Sequence, residues 1–178
     1  MAIKATIFKA ELQVSDLDRG HFATHALTIA RHPSETDERM MVRVLAFALD
    51  ADEALEFGRG LSAEDEPDLV KRDLTGAIDL WIEVGLPDER DVRKACGRAA
   101  RVKVYTYGRS AQSWWAQNAA ALSRLRNVDI LYVERSGELG RWADRNMSLA
   151  CTVQEGDAWF SSGEEPVIHI VRQAFVPG

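Results

Sequence analysis

Polar and apolar positions alternate at both ends of this chain and follow helical spacing through much of its middle. Residues 3–14, IKATIFKAELQV, have the two-residue period of a strand. SDLDRG supplies turn chemistry, and HFATHALTIARH returns as a second strand. A β-hairpin is therefore predicted over residues 1–30. HPSETDERMMVRVLAFALDADEAL then sets Met40, Met41, Val44, Leu45, Ala48 and Leu49 on one stripe at helical spacing. Pro33, Ser34 as N-cap and Asp37 three residues on mark its start. LEFGRG reads as a short strand, and EPDLVKR as a turn of helix within a polar connection.

The stretch GAIDLWIEVGLPDERDVRKAC switches from strand to helix within itself. Ile78, Leu80, Ile82 and Val84 are expected on one strand face; Asp79, Trp81, Glu83 and Gly85 fall on the other. Asp88 is the predicted N-cap of a helix whose narrow apolar face is Val92, Ala95, Cys96 and Ala99. The strand RVKVYTYG follows, which makes residues 78–84 and 102–107 a parallel βαβ pair. A helix (SAQSWWAQNAAALSRLRN), a strand (VDILYVE) and a short helix (GELGRWADRN) come next. MSLACTVQEG, DAWFSSG and PVIHIVRQAF alternate as a β meander. The expected architecture is one α/β domain over residues 1–178. Its mixed central sheet has a core of about residues 34–134, with the hairpin before it and an antiparallel β extension over 147–176.

Composition narrows the function classes. The chain has 178 residues, 46% of them hydrophobic, which suffices for a sizeable core. No apolar run approaches the ~20 residues that span a bilayer, and the start has no signal-peptide pattern, so a cytoplasmic protein with no membrane partner is expected. Cys96 and Cys151 form no CxxC pair and are read as buried small hydrophobes. His21 and His25 are four apart, which on a strand means about 13 Å, too far to share a metal. There is no GxSxG, phosphate-binding loop or dinucleotide GxGxxG. The net charge of −6 gives no overall attraction for nucleic acid. Against it stands a basic island: Arg90, Lys94, Arg98 and Arg101 line one face of the predicted helix, with Arg93, Lys103 and Arg109 nearby. With Gln112, Trp114 and Trp115 on the next helix, it is a candidate surface for phosphates and stacked bases.

Several blocks together (KATIFKAEL, ARHPSETDERMM, RGLSAEDEP, IDLWIEVGLPDER, KAC and SWWAQN) resemble the bacterial YaeQ family over essentially the whole length. The resemblance implies a fold similar to the PD-(D/E)XK, restriction-endonuclease-like nucleases, with an altered motif. That pattern needs an acid, then (D/E)-x-K on a neighbouring strand, holding Mg²⁺ or Mn²⁺ that activates water against a phosphate. Here Glu83-Val84-Gly85 has glycine where lysine is expected.

On this reading Glu83 anchors the metal and Asp79 is its first candidate partner, provided the strand is bulged. Asp68, from the literal Pro67-Asp68, is the alternative if a reversal near residues 74–76 brings it opposite Glu83. Glu66 serves instead if that segment is helical. Glu38 or Glu35 would complete the carboxylates from the first helix, and Lys94 would replace the lost lysine, although the helical wheel points it away from the sheet. The bland reading of Asp79 is a carboxylate paired with Arg59, Lys103 or a backbone amide. The expected activity is a metal-dependent phosphodiesterase acting on DNA or RNA. The alternative is a catalytically inactive module of the same fold that binds nucleic acid or a protein partner.

Overall fold

The computed structural model of the chain describes residues 4–58 and 65–175. It holds two sheets with a helix between them. The first sheet has the order β10-β9-β8-β1-β2, from β1 (Thr6–Asp16), β2 (His21–Arg31), β8 (Asn146–Gln154), β9 (Asp157–Ser162) and β10 (Ile168–Ile170). The predicted hairpin is present as β1 and β2, paired antiparallel, while β8 runs parallel to β1. The second sheet has the order β11-β7-β6-β5-β4-β3. Its strands are β3 (Leu55–Phe57), β4 (Leu69–Arg72), β5 (Ile78–Val84), β6 (Ala99–Tyr107), β7 (Val128–Val133) and β11 (Arg172–Ala174). β5, β6 and β7 are parallel, as the βαβ pattern required. The tail segment read as one strand divides instead: β10 completes the first sheet and β11 the second.

Helix α1 (Asp37–Leu49) fills the space between the sheets, and every residue from Met40 to Leu49 is buried. The single apolar stripe was thus too narrow a reading. A helix apolar on all sides is one enclosed on all sides, and Val42, Ala46 and Phe47 are buried with the predicted six. Its N-cap is Thr36, whose hydroxyl accepts from the Arg39 amide at 3.1 Å; Ser34 instead contacts His32. On the outer face of the second sheet, α2 (Glu89–Arg98) and α3 (Ala111–Leu122) cover Trp81, Val102, Val104 and Ile130. Asp88 caps α2 as expected, with its carboxylate accepting from the Arg90 amide at 2.9 Å. The short α4 (Ser136–Gly140) packs on α1.

Two departures position the site. Residues 69–72, expected to be helical, form β4 and reverse through residues 73–77 into β5, so Leu69 pairs with Ile82. The register also shifts between Lys71 and Arg72, because Lys71 pairs with Leu80 and Arg72 with Ile78. Asp79 is the extra residue of this β-bulge. The bulge breaks the alternation, so Ile78 packs with Trp81 on the α2 side rather than with Ile82 and Val84.

Gly58 shows how closely β3 approaches the start of β4. Its amide donates to Asp68 O at 2.8 Å, and a Cβ there would lie 2.0 Å from Pro67 O. Gly58→Ala is expected to push the two backbones apart, displace Asp68 and destabilise the fold by about 2–4 kcal/mol. Urea unfolding checks this, and an unchanged midpoint would refute it.

Candidate functional site

The carboxyl ends of β5 and β6 open into a pocket of about 460 Å³ against α2. Its walls include Arg39, Asp68, Trp81, Glu83, Lys94, Arg98 and Tyr107. Asp68 reaches it because the β4–β5 reversal sets the residue before Leu69 opposite the one after Ile82; the Asp68 amide donates to Ile82 O at 2.9 Å. The Asp68 and Glu83 carboxyl groups lie side by side in the pocket and act on each other electrostatically. Asp68 Oδ2 also accepts from the Val84 amide at 2.8 Å, and Trp81 Nε1 donates to Glu83 Oε1 at 2.7 Å. A buried carboxyl beside a second carboxylate resists ionising. Burial, and then the charge of Asp68, push Glu83 up to about 8.

That shift has a consequence for stability. The folded protein holds the Glu83 proton to about pH 8, whereas an unfolded chain releases it near the ordinary carboxyl value of about 4.3. Between these limits the native state binds more protons, so stability is greatest below the lower limit and falls as pH rises through the upper one. With metal chelated, the unfolding free energy from urea titrations is expected to drop across this window, by on the order of a few kcal/mol in total, and Glu83→Gln to flatten the drop. Equal slopes for the two proteins would contradict the raised Glu83 carboxyl.

Arg39, which the sequence reading missed, organises the rear of the pocket. Its Nη2 donates to Asp68 Oδ1 and Oδ2 at 2.9 and 3.0 Å and to Val84 O at 3.1 Å, while Nη1 meets Glu35 Oε2 at 2.5 Å. Glu35 is fully buried and also binds Arg43, through Nε at 3.0 Å and Nη2 at 2.5 Å. Charges thus alternate inward from the pocket as Asp68, Arg39, Glu35 and Arg43. The available signal was the pair Arg39 and Arg43, four apart within an apolar helix: buried guanidinium groups require buried carboxylates.

Lys94 lines the pocket, against the expectation from the helical wheel, because α2 crosses beside the strand ends and its flank borders the opening. Its Nζ lies 3.5 Å from Asp65 Oδ1. Arg98 donates to Asp65 O at 3.0 Å, and its guanidinium lies over Trp81, 4.9 Å from the ring centroid. Gly85, at the motif lysine position, has φ +112°. L side chains rarely adopt that conformation, so a lysine there would be strained on this backbone.

Other candidates lie elsewhere. Asp79 is exposed in the bulge and does not line the pocket. Its suggested partner Arg59 lies outside the described residues, and Lys103 pairs with Asp50. Glu38 turns towards α4, where it accepts from Ser136 Oγ at 2.7 Å. The basic stripe is divided: Arg90 faces Asp88, Arg93 pairs with Glu89 and Arg101 with Asp129. Arg109 and Gln112 are exposed outside the pocket. Trp114 donates to Pro87 O at 3.0 Å, and Trp115 stacks on Phe175, so both are occupied in packing. Glu66 borders the pocket beside Asp68. Among the described residues, no three His, Cys, Asp or Glu side chains gather as a metal cage, and no helix is long and apolar enough to cross a membrane.

Comparison with known proteins places the chain. Residues 1–170 match the family described as YaeQ protein. The chain is 51% identical over 164 residues to the uncharacterized protein YaeQ of Escherichia coli K12, covering 90% of this chain and 91% of that one. The crystal structure of YaeQ from Xanthomonas axonopodis pv. citri superposes with a TM-score of 0.91 at 47% identity, over 96% of this chain and 97% of that one. That of YaeQ from Pseudomonas syringae gives 0.92 at 36% identity, over 97% and 96%. The fold is that of these proteins, and the chain belongs to the YaeQ family.

Proposed function

We propose that this chain is a metal-dependent phosphodiesterase acting on nucleic acid, with Asp68 and Glu83 as the acids and Lys94 as the cation. The observation that supports it is that Asp68 and Glu83 line one pocket at the open end of the β4–β5 hairpin, with Lys94 on the neighbouring wall. In chain order this is Pro67-Asp68, a hairpin, then Glu83-Val84-Gly85, followed by a helix that carries the lysine. The PD-(D/E)XK pattern has the same order, with its lysine moved.

The donor set suits Mg²⁺ or Mn²⁺. These ions take one or two carboxylates and complete their shell with water and phosphate oxygens, so a three-carboxylate cage is not required. Asp68 and Glu83 are hard oxygen donors, and a divalent ion would displace the proton that Glu83 holds. When bound, the ion polarises the phosphate and makes its water acidic. The protein's own groups do the rest. Arg39 and the Val84 amide fix the Asp68 carboxylate, Trp81 fixes Glu83, and Lys94 supplies positive charge where a phosphate enters. Arg98 offers a second phosphate contact at the rim.

The test is hydrolysis of single- and double-stranded DNA and RNA with Mg²⁺ or Mn²⁺, comparing wild type with Asp68→Asn and Lys94→Ala. Cleavage lost in both variants supports the reading; cleavage retained by both, or absent from wild type on all substrates, refutes it. A second reading is supported by Arg39, which already neutralises Asp68 without any metal: an inactive module that binds nucleic acid or a protein partner through the same rim. Metal-independent binding of DNA or RNA, lost in Lys94→Ala and Arg98→Ala without any cleavage, would favour its nucleic-acid form.

A further inference from the structure

The two histidines of β2 meet, contrary to what their spacing predicts. A regular strand separates residues four apart by about 13 Å, yet His21 Nε2 and His25 Nε2 are 3.0 Å from each other. The side chains close the gap by leaning towards one another along the strand. Their ring planes are 14° apart and their centroids 5.2 Å apart. The centroid separation exceeds the nitrogen separation by about two ring radii, so the ε nitrogens face each other head-on.

Such a contact holds one proton: one ring donates it and the other accepts with its lone pair. Both rings therefore present their metal-binding atoms to one point. His25 is anchored on the core side by an edge contact with Phe47, centroid to centroid 5.0 Å, while His21 is only partly buried at the strand's start. The carboxylates of Glu53 and Asp52, in the turn after α1, act electrostatically on His25. Asp52 is held in place by Lys71 at 2.7 Å and the Ala54 amide at 2.8 Å.

We propose that His21 and His25 form a two-imidazole clamp for a divalent transition metal of the Zn²⁺, Ni²⁺ or Cu²⁺ class, separate from the Asp68–Glu83 pocket. Imidazole nitrogen suits these ions, while Mg²⁺ prefers the oxygen donors of the other site. On binding, the donating ring passes its ε proton to solvent and takes one up at Nδ1, and both rings turn out of the head-on contact so that their ε lone pairs converge on the ion, with no net proton released. Water fills the remaining positions, and the nearby carboxylates offset part of the ion's charge. Two protein ligands give a site of modest affinity that stays open to a further ligand.

The experiment titrates ZnCl₂ or NiCl₂ calorimetrically into metal-stripped protein under excess Mg²⁺, which occupies oxygen-donor sites. One equivalent is expected to bind wild type. The affinity should fall by about tenfold or more in both His21→Ala and His25→Ala, and stay unchanged in Glu83→Gln and in Cys96→Ser. His25 packs against Phe47, so circular dichroism of each variant is recorded. If His25→Ala does not fold, the partly exposed His21→Ala decides alone. Absence of stoichiometric binding by wild type, or binding unchanged in the folded histidine variants, overturns the clamp. Because the test reads neither hydrolysis nor Mg²⁺, its outcome is independent of the proposed activity.

Discussion

Glu35→Ala is expected to destabilise the protein by about 3–5 kcal/mol, the cost of leaving a buried charge without its partner. Glu35 and Arg43 have no exposed side-chain surface. Without Glu35, Arg43 keeps the Ala30 carbonyl at 3.0 Å and a position over the Phe57 ring, 5.9 Å from its centroid. One neutral carbonyl and one aromatic face do not replace a bidentate carboxylate. One of its nitrogens, Nη1, already has no hydrogen-bond partner. Replacing both groups, with Glu35→Leu and Arg43→Met, should restore most of the loss, since apolar side chains of similar volume remove the desolvation cost altogether. The double variant would still have lost the anchor of Arg39, and with it part of the fixation of Asp68. Guanidinium unfolding of the three proteins measures this directly. A loss below about 1 kcal/mol for Glu35→Ala would show that the network is not held together by its charges.

The second large effect concerns catalysis and rests on the proposed activity. Asp68→Asn and Glu83→Gln should each lower the metal-dependent cleavage rate by about 10²–10³, while Asp79→Asn leaves it unchanged. The contrast is informative because Asp79 and Glu83 are both carboxylic residues and lie on one strand. Only the bulge separates their fates: it leaves Asp79 exposed, whereas Asp68 joins Glu83 in the pocket. Glu83→Gln keeps the shape and the bond from Trp81 but cannot ionise to meet a metal, so its loss of rate is not a loss of fold. Single-turnover rates with saturating Mn²⁺ would check both. Equal rates for wild type and Glu83→Gln would dismiss these acids as ligands, and a parallel loss in Asp79→Asn would place the chemistry elsewhere.

The sequence determined the hairpin, the parallel pair β5 and β6 and the cap at Asp88, because each follows from a local period or a local cap. It even offered Asp68 as a partner for Glu83, as one of three candidates beside Asp79 and Glu66, on the condition of a short reversal. What it did not contain was the choice. Whether residues 69–72 coil or pair depends on β5 being there to pair with, and the bulge that expels Asp79 appears only once that pairing exists. The helical wheel knew which face of α2 packs on the sheet, but not that the flank bearing Lys94 borders the open strand ends. The stripe on α1 gave a helix but not its enclosure, since a second sheet on the far side is built by β8, β9 and β10, over a hundred residues from β1. Arg39 and Arg43 were legible as letters and not as roles: a charge in an apolar helix acquires its meaning from the carboxylates that folding brings to it. Periodicity is a property of neighbours along the chain. The pocket is a property of neighbours in space, and only the tertiary structure decides those.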